Sequence, residues 1–142
     1  MRYVIIGNGV AGITAAETIR QYDPVGGITL IGDESVAPYC RPRISLVLEG
    51  AIAPEKLPIR GSRFYDDLNI QAVLGNRVTG IDVDKRTVAV DGASYGFDRL
   101  LIATGADPRP IKAEGVALEN ISYMRTQDHV RTMLAGLKCA RR

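Results

Sequence analysis

The first twenty residues constrain the fold of this chain more than any other segment. The apolar run at residues 3–6 predicts a strand, and the amphipathic stretch at residues 10–22 predicts a helix. Between them, Gly7, Gly9 and Gly12 fall at the GxGxxG spacing. The first glycine permits a tight turn, the second lets a phosphate approach the backbone, and the third lets the helix pack on the strand. Because helix N-termini attract anions, this segment is typical of a dinucleotide-binding site.

An acidic pair follows the second predicted strand. Residues 28–31 are apolar and β-branched, so the first unit of the chain is predicted to be βαβ. Asp33 and Glu34 come next, about 20 residues after Gly12. A carboxylate at this position is expected to accept hydrogen bonds from a ribose, so Asp33 is a candidate ligand of the adenosine.

The remaining chain predicts an α/β fold of one domain spanning residues 1–142. After the βαβ unit (1–34), residues 35–69 form an Arg-Pro segment with short helices, one closed by Gly50 and one capped by Ser62. Period-two runs at 71–74, 77–82 and 87–90 predict an antiparallel β-meander over 70–98. Residues 99–142 predict a strand at 100–103, a linker, a strand at 121–124 and a last helix capped by Thr126.

Composition excludes several classes of protein. A net charge of +2 without a basic run gives no indication of nucleic-acid binding. We expect no membrane span, since no apolar run is long enough. The two cysteines, Cys40 and Cys139, lie far apart, which argues against a metal site and a redox disulfide and favours a reduced, cytoplasmic protein.

Two further motifs carry a family resemblance. Residues 38–45 (PYCRPRIS) are similar to a Y-x-R-P-x-L-S motif, and residues 100–109 (LLIATGADPR) to an L-L-I-A-T-G-x-x-P-R motif. With the glycine-rich start, the chain resembles the N-terminal half of the FAD domain of FAD-dependent pyridine nucleotide oxidoreductases, in the branch of nitrite, rubredoxin and ferredoxin reductases. The resemblance implies a Rossmann-like FAD-binding fold that is incomplete relative to the family, whose members continue into an NAD(P)H-binding domain.

The resemblance also implies cofactor-binding roles. It assigns the diphosphate to the glycine-rich loop and to Arg41, the ribose to the acidic pair, and the adenine to the backbone of the meander. The implied FAD-binding residues are Gly7, Gly9, Val10, Ala11, Gly12, Asp33, Glu34, Arg41, Ser45, Val78, Ala103, Thr104, Gly105 and Arg125. No catalytic acid or base is indicated.

Two departures from the family pattern, besides the short length of the chain, narrow the expected branch and chemistry. Leu46 stands where some ferredoxin reductases carry a lysine after the serine, which favours the rubredoxin and nitrite reductase side of the branch. The paired redox cysteines of disulfide reductases are missing. Cys40 occupies the variable position of its motif, and His129 lies on the last helix, so neither is expected to take part in chemistry.

The resemblance implies the FAD-binding portion of an NAD(P)H-dependent oxidoreductase. In the complete enzyme, electrons would pass from nicotinamide through flavin to a redox protein, a metal centre or oxygen, and the 142-residue chain alone would be inactive. Two alternatives stay open. One is a small NAD-binding Rossmann protein, and the other is a non-catalytic FAD-binding fragment or subunit completed by a second chain.

Overall fold

The computed structural model describes residues 1–118 and 121–139, with the side chain of residue 139 left out. The described part contains seven strands and four α-helices in the order that follows: β1 (Arg2–Ile6), α1 (Val10–Tyr22), β2 (Gly27–Gly32), α2 (Ile44–Glu49), α3 (Phe64–Asp67), β3 (Ile70–Leu74), β4 (Val78–Asp82), β5 (Thr87–Val90), β6 (Ala93–Gly96), β7 (Arg99–Ile102) and α4 (Gln127–Cys139). Short 3₁₀ turns lie at Arg41–Arg43 and Pro54–Lys56. The chain forms two compact units, which are residues 1–39 with 58–105 and residues 40–57 with 106–142.

The first unit is built on a four-stranded parallel sheet. Its strand order is β3-β2-β1-β7, and β4, β5 and β6 form a separate antiparallel sheet. Alternate residues of β1 point to opposite faces, so each face has its own core. The core on the α1 and α3 side consists of Ile5, Ile13, Ala16, Ile28, Leu30, Phe64 and Ile70. The core on the side of the antiparallel sheet consists of Val4, Ile6, Ile31, Val88, Val90 and Phe97. The predicted α/β class, with a βαβ start and an antiparallel insertion, is confirmed.

The prediction that residues 71–74 belong to the antiparallel meander is wrong. They form β3, which pairs in parallel with β2, because buried Ile70 at its start packs into the core on the α1 side. The meander instead comprises β4, β5 and the unpredicted β6. Its two turns use left-handed backbone at Arg86 (φ 52°) and at Asp91 (φ 43°) with the glycine that follows.

Two smaller predictions are also wrong. Ser62 does not cap α3, which begins at Phe64 with Arg63 at its N-cap and without a side-chain cap. Residues 121–124 are irregular rather than a strand, and they pair with none of the strands in the described part of the chain. The last helix, in contrast, is present as α4, and the Thr126 hydroxyl accepts a hydrogen bond from the N–H of His129 as a cap does (3.2 Å).

In the second unit, α2 packs against α4. Ile44 and Val47 on α2 and Val130 on α4 are buried, as is Leu57 at the end of the connecting loop. Helix α2 ends at Gly50 in left-handed conformation (φ 82°), as its sequence predicts. None of the helices in the described part of the chain is long and apolar enough to cross a membrane.

Candidate functional site

Two of the three motif glycines are required by the packing of the loop at residues 7–12, hereafter the glycine loop. Gly7 adopts φ 122°, and a Cβ there would collide with the backbone carbonyl of Ala103 just after β7. A Cβ at Gly12 would collide with the carbonyl of Gly7. These two positions therefore hold the loop against α1 and the end of β7, whether or not a ligand is bound.

Gly9 is different, because a Cβ there would meet no atom of the described residues within 4 Å. It is the N-cap of α1 and offers no side chain to cap that helix. In the described part of the chain, the N–H groups of Val10, Ala11 and Gly12 have no hydrogen-bond acceptor. Unpaired N–H groups at the start of a 13-residue helix carry partial positive charge and suit a phosphate, so this loop fits the diphosphate of a dinucleotide.

The two acids after β2 have different surroundings. Glu34 accepts a hydrogen bond from the hydroxyl of buried Tyr39 at 2.8 Å. Asp33 is exposed, and among the described residues its carboxylate has no hydrogen-bond or ion-pair partner. The side chain that can accept bonds from ribose hydroxyls without losing a protein contact is therefore that of Asp33.

The predicted residues of the first unit come together at one edge of the parallel sheet. Strands β1, β2, β3 and β7 run parallel, so the glycine loop, Asp33 and residues 103–105 all follow strand ends at the same edge. Gly105 adopts φ 71°, a conformation suited to glycine. The turn after β3 is tied to the acidic loop by backbone bonds from Gly75 N–H to the Glu34 carbonyl (3.2 Å) and from Asn76 N–H to the Gly32 carbonyl (3.1 Å). Val78 begins β4 two residues later, beside this turn.

The second unit brings together two of the predicted arginines. Arg41 donates through Nη1 to the backbone carbonyl of Arg125 (3.1 Å), and the guanidinium of Arg125 pairs with Asp107 (2.7 Å). The N–H of Arg125 donates to Nδ1 of His129 on α4 (3.1 Å). These bonds place Arg41 and Arg125 in one hydrogen-bonded network, in which the carboxylate of Asp107 offsets the charge of Arg125. Ser45 is exposed and its hydroxyl donates to the carbonyl of Pro42 at 3.2 Å.

Sequence reasoning missed two polar residues that shape the glycine loop. The Tyr65 hydroxyl on α3 donates to Oδ1 of Asn8 (2.8 Å), and Nδ2 of Asn8 donates to the carbonyl of Val36 (3.1 Å). Burial raises the pKa of Tyr65 above its ordinary value, which keeps the donating proton on the hydroxyl. Asn8 occupies a variable position of the GxGxxG pattern, and no local signal in the sequence links it to Tyr65.

Comparison with known proteins agrees with this geometry. The family model of the pyridine nucleotide-disulphide oxidoreductases matches residues 1–141, so the chain belongs to that family. It is 38% identical over 135 residues to a rubredoxin-NAD(+) reductase of Pseudomonas putida, covering 94% of this chain and 35% of that protein. It is 35% identical over 139 residues to a rhodocoxin reductase of Rhodococcus erythropolis, covering 96% of this chain and 33% of that protein.

A solved structure of the covalent putidaredoxin reductase–putidaredoxin complex is also similar. It matches with a TM-score of 0.84 and 36% identity, covering 96% of this chain and 34% of that one. The resemblance to the rubredoxin and ferredoxin reductase branch is therefore confirmed. The chain spans about a third of the length of these relatives.

Proposed function

We propose that this chain is the FAD-binding part of an NAD(P)H-dependent flavoprotein oxidoreductase. The observation that carries the proposal is the start of α1, where three N–H groups have no acceptor within the described part of the chain and lie beside a glycine that faces open space there. That arrangement suits a diphosphate whose oxygens approach the backbone closely. Family membership, shown by the match over residues 1–141, favours FAD as the dinucleotide.

The proposed roles of the residues follow their surroundings. The N–H groups of Val10, Ala11 and Gly12 bind the diphosphate, and Asp33 accepts hydrogen bonds from the ribose. Glu34 supports the acidic loop through Tyr39 instead of binding the ligand directly.

The other proposed cofactor-binding residues are assigned mainly on the family resemblance. On the family resemblance, Arg41 is proposed to bind phosphate oxygens with its forked donors, and Arg125 is proposed to line the FAD site. The backbone at Val78 is proposed to meet the adenine, and the small residues at 103–105 to lie against the cofactor. Ser45 is proposed to lie toward the flavin end of the ligand.

These residues bind and orient the cofactor; FAD, when bound, supplies the redox chemistry by accepting a hydride from a nicotinamide and passing electrons on. Relatives named as reductases of rubredoxin and rhodocoxin support a redox protein as the electron acceptor of the complete enzyme. A setting in the reducing cytoplasm is consistent with a chain that has two cysteines far apart in sequence.

Calorimetric titration of the 142-residue chain with FAD and, separately, with NAD tests the proposal. We expect FAD to bind at least tenfold more tightly than NAD. We further expect D33N to weaken FAD binding at least tenfold, whereas E34Q changes it less than threefold. Among the described residues, Glu34 has a protein partner and the carboxylate of Asp33 has none. Tighter binding of NAD would favour the NAD-binding Rossmann alternative, and binding of neither nucleotide would refute the proposal.

A further inference from the structure

Asn8 links three separate segments of the first unit. It lies between Gly7 and Gly9 in the glycine loop, and its side chain is partly buried. Its Oδ1 accepts the proton of the Tyr65 hydroxyl on α3, and its Nδ2 donates to the carbonyl of Val36 in the loop after β2. One side chain therefore ties the phosphate-binding loop both to α3 and to the loop that carries Asp33.

The end of β2 is shaped to admit this side chain. A Cβ at buried Gly32 would lie 2.9 Å from Cβ of Asn8 and 3.3 Å from Cδ2 of Leu74, so a larger residue at this position would push Asn8 away. Contacts below 3.0 Å between carbon atoms are not tolerated in a packed interior. Gly32 is thus required by the passage of the Asn8 side chain rather than by its own backbone.

The Tyr65 end of the link is fixed by packing. Its ring lies edge-to-face on Phe64, with ring centroids 5.2 Å apart and planes at 72°, and both side chains belong to the core on the α1 side. Because the ring is held by this packing, the hydroxyl oxygen that donates to Asn8 has a fixed position. The hydrogen bonds run in one direction, from Tyr65 to Asn8 to Val36, and each bond in such a chain strengthens the next.

We propose that Asn8 and Tyr65 are positioning residues for the cofactor, an inference that rests on the proposed FAD-binding function. The side-chain amide of Asn8 is bonded to protein at both its oxygen and its nitrogen, so it acts through the loops and not as a ligand. By joining the glycine loop to the segment 33–36, it holds the diphosphate donors and the ribose acceptor at a fixed separation before the cofactor arrives. Preorganisation of this kind raises affinity because less ordering remains to be done on binding.

The test measures FAD binding by flavin fluorescence in the 142-residue chain and in N8A and Y65F, well below the unfolding temperature of each variant. We expect about tenfold or greater weakening for N8A and about three- to tenfold for Y65F, since the phenylalanine ring keeps the packing and removes one hydrogen bond. The effect of the double variant should be less than the product of the two, because both changes break the same link. Y22F is the matched control: Tyr22 is 86% exposed at the end of α1, and its replacement should leave affinity unchanged.

A second measurement separates positioning from general stability. Amide chemical shifts of the free protein should change in Y65F at residues 10–12 and at Asp33, while those of β5 stay as in the wild type. Binding by N8A and Y65F equal to that of the wild type would overturn the positioning role alone. Uniform shifts throughout the core would also overturn it. A wild-type chain that binds no FAD would refute the proposed function, and the positioning role with it.

Discussion

Replacement of Gly9 by alanine should separate folding from cofactor binding in the glycine loop. Gly9 has an extended backbone (φ −84°, ψ −179°) that any residue can adopt, and in the part of the chain that the structure describes an added Cβ meets no atom within 4 Å. The fold should therefore accept alanine with a change of less than about 1 kcal/mol, because the gain from a stiffer unfolded chain is offset by the lower preference for alanine at an N-cap. By contrast, G7A and G12A place a methyl group on a backbone carbonyl and should unfold or rearrange the loop.

The magnitude for binding follows from the donors at the start of α1. The new methyl group would occupy the open space through which a phosphate reaches the N–H groups of Val10, Ala11 and Gly12. Hydrogen bonds to charged groups are worth about 1.5–3 kcal/mol each, so losing one or weakening two costs about 2–4 kcal/mol. This corresponds to FAD binding that is roughly 30- to 700-fold weaker.

Thermal melts and FAD titrations on the wild type, G9A and G7A form the assay. The expected pattern is an unfolding temperature for G9A close to that of the wild type, a much lower one for G7A, and loss of FAD affinity in both. Two results would refute the reasoning. If G9A bound FAD within threefold of the wild-type affinity, the phosphate would not approach the backbone at Gly9. If G9A melted at a temperature as low as that of G7A, the open space at Gly9 would be needed for folding.

Two further predictions concern stability. The guanidinium of Arg20 donates to five backbone carbonyls at the end of α1 and before β2 and β3 (2.7–3.0 Å). R20A should therefore lower the free energy of unfolding, measured in urea, by about 2–4 kcal/mol, and R20K, which lacks the forked donors, should recover less than half of that loss. A loss below about 0.5 kcal/mol in R20A would contradict this role. The bidentate hydrogen bonds from Arg60 (2.6 and 2.9 Å) hold the pKa of Glu17 below its ordinary value. The contribution of this ion pair to stability is therefore present above about pH 4.5 and is lost as the pH falls through the lowered pKa. E17Q should be less stable than the wild type at neutral pH and should lose less stability in acid, and parallel curves of stability against pH would contradict this reasoning.

The first βαβ unit was predictable because its signals are local. Apolar residues on both faces of β1, three glycines at fixed spacing and a helical period in α1 lie within 22 residues, and each is explained by steric or periodic rules. The same holds for the left-handed turn at Gly50, where a glycine closes a short helix. Such features depend little on what the rest of the chain does.

The sheet assignment of β3 was not predictable from its turn. Gly75 and Asn76 are turn residues in a hairpin and equally in a crossing from one sheet to another, so the turn does not identify the partner strand. Burial of Ile70 in the core on the α1 side decides the outcome, and that contact is remote in sequence. Strand β6 was missed for a related reason, since Ala93–Gly96 shows no apolar alternation and is held by its pairing with β5.

Some features of the site have a local signal in the sequence, and others depend on contacts between residues far apart in the chain. The glycine spacing indicated the phosphate loop, whereas the hydrogen bond between Tyr65 and Asn8 joins residues 57 positions apart and leaves no pattern in the sequence. The acidic pair shows an intermediate case. Sequence placed both Asp33 and Glu34 near a ribose, and only the structure distinguishes them, through the hydroxyl of Tyr39.

The residues most informative about function are those that the fold itself does not use. Gly7 and Gly12 would be glycine in a protein of this fold that bound nothing, because backbone carbonyls lie where their side chains would be. Open space at Gly9, an uncapped α1 and an exposed carboxylate at Asp33 have no such structural explanation. With glycine at its N-cap, α1 forgoes about a few tenths of a kcal/mol that a serine or aspartate at Gly9 would supply. A bound diphosphate is the simplest agent that would recover this energy, and for that reason these features together support a dinucleotide more strongly than the GxGxxG spacing does alone.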